Sequence, residues 1–88
     1  MMFTPKDVRD KIVYASKSEG GFVSVEELSD NSFLLKDEYV GTFRFEISPQ
    51  KVEILDMTRS DWKYTVTDEN ALQEFINVVI YDIDPYLE

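Results

Sequence analysis

Carboxylates are the only abundant reactive side chains in this sequence. It holds eighteen Asp and Glu, and neither His nor Cys. The most frequent general base, the most frequent metal ligand and the thiol nucleophile are therefore all lacking. Catalysis would have to rest on carboxylates, Tyr, Ser or Lys. No phosphate-binding glycine loop, nucleophile elbow or Walker-type lysine occurs. The composition predicts a protein that is not an enzyme.

Three acidic groupings remain as candidates. The first is the closing stretch DENALQEFINVVIYDIDPYLE, Asp68 to Glu88, with six carboxylates and no Lys or Arg. Its candidate partner-binding residues are Asp68, Glu69, Glu74, Tyr81, Asp82 and Asp84. Asp82 and Asp84 fall at the expected end of a helix, where the dipole disfavours anions by roughly 0.3–1 kcal/mol each. Stability alone favours Lys or Arg there. The arrangement reads either as a docking surface for a basic partner or as a surface cost that salt screens. The second grouping is the Asp82–Asp84 pair, which resembles the acidic pair of some Mg²⁺ sites. It lacks the further oxygen ligands and Gly-rich turn of such a site, so no metal and no cofactor is expected. The third is DMTRSDW, where Asp56, Arg59, Asp61 and Trp62 share one loop. It would hold a small ligand, or Arg59 pairs with a neighbouring Asp while the Trp ring packs inward.

Net charge narrows the partners. At −9 the chain repels phosphate backbones and anionic membranes, and attracts basic proteins. Solubility is the alternative reason for such a charge. Residues 1–20 carry three acids and four bases, so the imbalance grows toward the C-terminus. No run of about 18 apolar residues exists to span a membrane. MMFTPKDVRD lacks the layout of a signal peptide, and the lack of Cys fits a cytoplasmic location. The 88 residues make one domain, within which Leu87 and Glu88 match a cloning remnant as well as native sequence.

The elements that would position these groups are legible in the periodicity. Thr4 is a suitable N-cap, Pro5 suits the first helical position, and Asp7 favours the positive end of the dipole. Phe3 and Val8 are spaced for a hydrophobic staple, and Val8, Ile12 and Ala15 form a narrow stripe. Gly20 or Gly21 stops that helix. From Phe22 to Val66 the period is two. FVSVEEL, SFLLK, TFRFEI, KVEIL and WKYTV read as short strands joined by SDNS, KDEY, SPQK and DMTRSD. Arg44, Glu46, Lys51, Glu53, Lys63 and Thr65 fall on one face, which should be wet.

Thr67 or Asp68 then caps a closing helix with Leu72, Phe75, Ile76, Val79, Ile80 and Ile83 at three- and four-residue steps. Ala71 and Val78 widen the stripe beyond what one sheet face needs. The surplus must meet the first helix or a second copy. Tyr81 and Tyr14 lie off their stripes and are the expected exposed anchors, the alternative being edge packing.

The predicted fold is two-layer α+β: a helix, an antiparallel meander of four or five strands and a helix, with both helices on one sheet face. The expected core is Ile12, Val23, Val25, Phe43, Phe45, Ile47, Ile54, Tyr64, Leu72, Phe75, Ile76, Val79 and Ile83. The functional expectation is a small acidic cytoplasmic protein-binding module. It would mask a basic, nucleic-acid-binding surface of its partner, as an inhibitor or immunity-type protein. Two alternatives stand beside it: a structural homodimer joined through the overfull helix or a free sheet edge, and a small-ligand domain using the Asp56–Trp62 loop.

Overall fold

The first helix begins where the capping residues place it. In the computed structural model, which describes residues 2–59 and 62–81 (excluding the Trp62 side chain), α1 spans Pro5–Ser18. Thr4 Oγ1 accepts from the Asp7 amide at 3.2 Å. Phe3 and Val8 are both buried, as a staple requires. Gly20 takes a left-handed φ of 89° and ends the helix.

Five strands follow: β1 (Val23–Ser29), β2 (Ser32–Asp37), β3 (Gly41–Ile47), β4 (Val52–Asp56) and β5 (Trp62–Val66). They form one open antiparallel sheet in sequence order, so β1 and β5 are its edges. The register places Phe33 beside Phe45, Phe45 beside Ile54, and Ile54 beside Tyr64 on one face. Phe33 and Phe45 stack with centroids 4.7 Å apart.

The closing element starts at α2 (Glu69–Phe75), capped by Asp68, and continues as a π-helical turn over Ile76–Ile80. Phe75 meets Phe43, Phe45 and Tyr64 edge-on at 6.0, 6.2 and 5.1 Å. That geometry suits aromatic quadrupoles and fixes α2 over the β3–β5 side of the sheet. Val8, Ile12 and Ala15 of α1 join the same core, so both helices cover one face. The architecture is α+β.

Most of the expected core is buried, but Val23, Val25, Tyr64 and Val79 are only half-buried. Val23 and Val25 belong to an edge strand that α1 covers incompletely. Phe33, Leu35, Val52, Val66 and Ile80 are buried although the expected core omits them. Ile83 lies outside the described residues.

Candidate functional site

The acidic residues of the closing element divide by position. Asp68 Oδ1 accepts from the Ala71 amide at 2.7 Å, so this carboxylate caps α2. Glu69 reaches Lys11 of α1 at 3.4 Å. Glu74, one turn further on, is exposed, and no described Lys or Arg pairs with it. Asp82 and Asp84 lie outside the described residues. Tyr81 is half-buried against the core rather than standing in solvent.

The π turn explains the placement of Tyr81 and creates a groove. Its bond runs from the Tyr81 amide to the Ile76 carbonyl at 2.9 Å. A turn closed at five residues advances each residue by less than the roughly 100° of an α-helix. Ile80 therefore rotates into the centre of the buried face and is 2% exposed. Val79 moves to the flank, and Tyr81 swings back toward the core. Val78 turns outward and is 37% exposed. Between β5 and this helix lies an open groove of about 270 Å³. Its lining includes Tyr64, Val66, Ala71, Phe75 and Val78, with Glu74 as the one ionised side chain among the described residues. The surplus apolar arc thus meets α1 on one side and opens beside β5 on the other.

The Asp56 loop is organised by its own hydrogen bonds. Asp56 is fully buried; its Oδ1 accepts from the Thr58 and Arg59 amides at 3.1 Å each. The Arg59 guanidinium donates to Oδ2 at 2.9 Å. These contacts fix a tight turn after β4. Of the four loop candidates the structure brings together Asp56 and Arg59, while Asp61 and the Trp62 side chain lie outside the described residues. Asp37 repeats the device after β2, accepting from the Tyr39 and Val40 amides at 2.8 and 3.1 Å. Its Oδ2 is buried and, among the described residues, has no hydrogen-bond partner.

The outer sheet face carries cancelling charges. Arg44 pairs with Glu46 at 3.1 Å, and Glu53 pairs with Lys63 at 3.2 Å and Lys51 at 3.7 Å. Lys63, then Lys51, hold the Glu53 carboxyl below its ordinary range. On the opposite edge a cleft of about 530 Å³ separates α1 from β1. Arg9, Asp10, Lys17 and Glu27 line it, so its signs are mixed, and Arg9 pairs with Glu27. Tyr14 stands exposed at its rim.

Among the described residues no group of three or more acids is placed to hold a metal ion, and no helix is long and apolar enough to cross a membrane. The groove beside β5 was missed in sequence because an α-helical wheel centres Val79 on the buried stripe, and periodicity does not reveal the π turn that moves Val79 to the flank. The surplus width at Ala71 and Val78 was the signal that pointed to it. Comparison of the chain with protein-family models, curated proteins and solved structures gives no match.

Proposed function

We propose that this protein is a non-enzymatic binding module whose closing element contacts a basic surface of a protein partner. One observation carries the reading. The groove between β5 and α2 is open and apolar, and Glu74, the one ionised side chain that lines it among the described residues, has no described cation beside it. An apolar floor with an uncancelled rim charge suits a partner that brings apolar contact and a Lys or Arg together. The chain's net charge of −9 draws such a partner and repels nucleic acid. A partner surface that normally meets phosphates fits this description, and covering it would make the protein an inhibitor.

Affinity capture from the native host over a range of ionic strength tests the proposal. The wild type should retain a basic protein at low salt and lose it progressively as salt rises. Glu74→Lys should lose it at lower salt than the wild type. The retained protein should bind nucleic acid less well when the module is added. Capture indifferent to both salt and Glu74→Lys would overturn the proposal.

A further inference from the structure

The two edges of the sheet are built differently. β1 carries features that discourage another strand from pairing there. Its ladder breaks register between Glu27 and Ser29. Glu27 lies opposite Phe33, on the helix-facing side of the strand, and is tied there by Arg9 of α1. An inward charge and a register break are the usual protections of an edge. β5 has neither. Its register with β4 is unbroken from Val66 to Trp62, and its described helix-side residues, Tyr64 and Val66, are uncharged. Its single charge, Lys63, lies on the outer face, paired with Glu53. Among the described residues no strand pairs with its outer side. The open groove runs along this same edge.

We infer that the partner contributes an extended segment which pairs with the free edge of β5, setting apolar side chains and one Lys or Arg into the groove against Val78, Phe75 and Glu74. The inference rests on the protein-binding reading above and adds the mode of binding. Strand addition satisfies the outward amides and carbonyls of β5, while alternate side chains of the incoming segment enter the groove. Charge selects the occupant. A second copy pairing through its own β5 would bring Tyr64 and Val66 to the helix side, and neither answers Glu74. It would also bring together two chains of net charge −9. A basic segment of another protein supplies what the second copy lacks.

The test uses the full chain, labelled for amide NMR, and a short capped peptide in which threonines alternate with valine, lysine and valine. Alternate amides of Trp62–Val66 should gain exchange protection on titration. Glu74→Gln should weaken binding roughly two- to five-fold, the range of one exposed ion pair. N-methylating the peptide amides that face β5 should abolish binding, while N-methylating the opposite amides should leave it intact. Unchanged β5 amides at millimolar peptide, or equal binding by both methylated peptides, would overturn strand addition. If salt-sensitive capture of a basic protein persisted in that case, the protein-binding reading would stand without this mode. Loss of both results would remove both. A dimer whose β5 amides are already protected would show that a second copy is the occupant.

Discussion

Ile80 and Val79 are adjacent, and the two possible windings of the closing helix assign them opposite weights. An α-helical turn centres Val79 on the buried stripe and moves Ile80 to its flank. The π turn does the reverse: Ile80 is 2% exposed and Val79 half-buried. Truncating a fully buried Ile to Ala costs roughly 2–5 kcal/mol through lost transfer energy and the cavity left behind. Truncating a half-buried Val costs about 1 kcal/mol. Both changes replace a β-branched residue with Ala, so the gain in helix propensity is similar and cancels in the comparison. A domain of this length is stable by roughly 4–13 kcal/mol, so Ile80→Ala removes a large share. At roughly 4–8 °C per kcal/mol, Ile80→Ala lowers Tm by about 8–40 °C and Val79→Ala by about 4–8 °C. Urea titration gives both costs directly, with an unchanged slope showing that the denatured state is unaffected. The extra methylene of Ile accounts for about 0.8 kcal/mol of the difference. A gap no larger than that would refute the π winding, and with it the outward turn of Val78.

Other perturbations test the turns and the outer face. Arg59→Ala leaves Asp56 buried with its two amide donors but without its guanidinium. It should cost about 1–3 kcal/mol in urea titration, and Asp56→Ala, which also orphans two amides, should cost more. Gly41 has φ of 119°, and a Cβ there would run into Thr58, whose Oγ1 accepts from the Thr42 amide at 2.8 Å. Gly41→Ala should destabilise by roughly 1–3 kcal/mol, and adding Thr58→Ala should not restore it, because the backbone strain remains. Glu53 has its folded pKa held below the ordinary carboxylate value by Lys63 and Lys51. Its charged form therefore stabilises the fold above the unfolded pKa, and that contribution disappears as pH falls through the folded pKa. The stability gap between wild type and Glu53→Gln should be widest near neutral pH and close in acid. A gap that widens on acidification would contradict the ion-pair assignment.

Local signals were strong where one residue type has few uses. Thr4-Pro5 specified the start of α1, and the alternation of Phe43, Phe45 and Ile47 specified β3 and its buried face. Pro49 and the Asx turns at Asp37 and Asp56 punctuate the strands at short range, so element order was legible. What was not legible depends on long-range geometry. Sequence gives no weight to whether Val23 and Val25 fall on an edge that α1 leaves partly open. Helical periodicity also cannot distinguish a π turn from an α turn over Ile76–Ile80, because both bury Ile76. The site suffered most from this. Counting acids along Asp68–Glu88 treats them as one surface, whereas the fold uses Asp68 as a cap and sets Glu69 against Lys11, leaving Glu74 beside the groove.

Seven of the nine bases, namely Lys6, Arg9, Lys11, Arg44, Lys51, Arg59 and Lys63, lie in ion pairs. Among the described residues the unpaired negative charge is therefore diffuse, contributed by separated residues such as Glu19, Glu26, Asp30, Glu38 and Glu74. A diffuse field steers encounter but does not hold a partner in place; apolar contact does that. On the binding proposal these roles fall to different residues. Reversing the rim charge with Glu74→Lys should slow association, flatten its salt dependence and, by setting two cations together in the groove, also speed dissociation. Val78→Ala removes apolar contact from the groove without touching charge. It should cost about 1 kcal/mol, roughly five-fold, in the dissociation rate and leave association unchanged. Surface plasmon resonance with the captured partner at several salt concentrations separates the two rates. If Val78→Ala left dissociation untouched while Glu74→Lys alone weakened binding, the groove would have no part in the complex, and the interaction would be electrostatic attraction to the acidic surface at large.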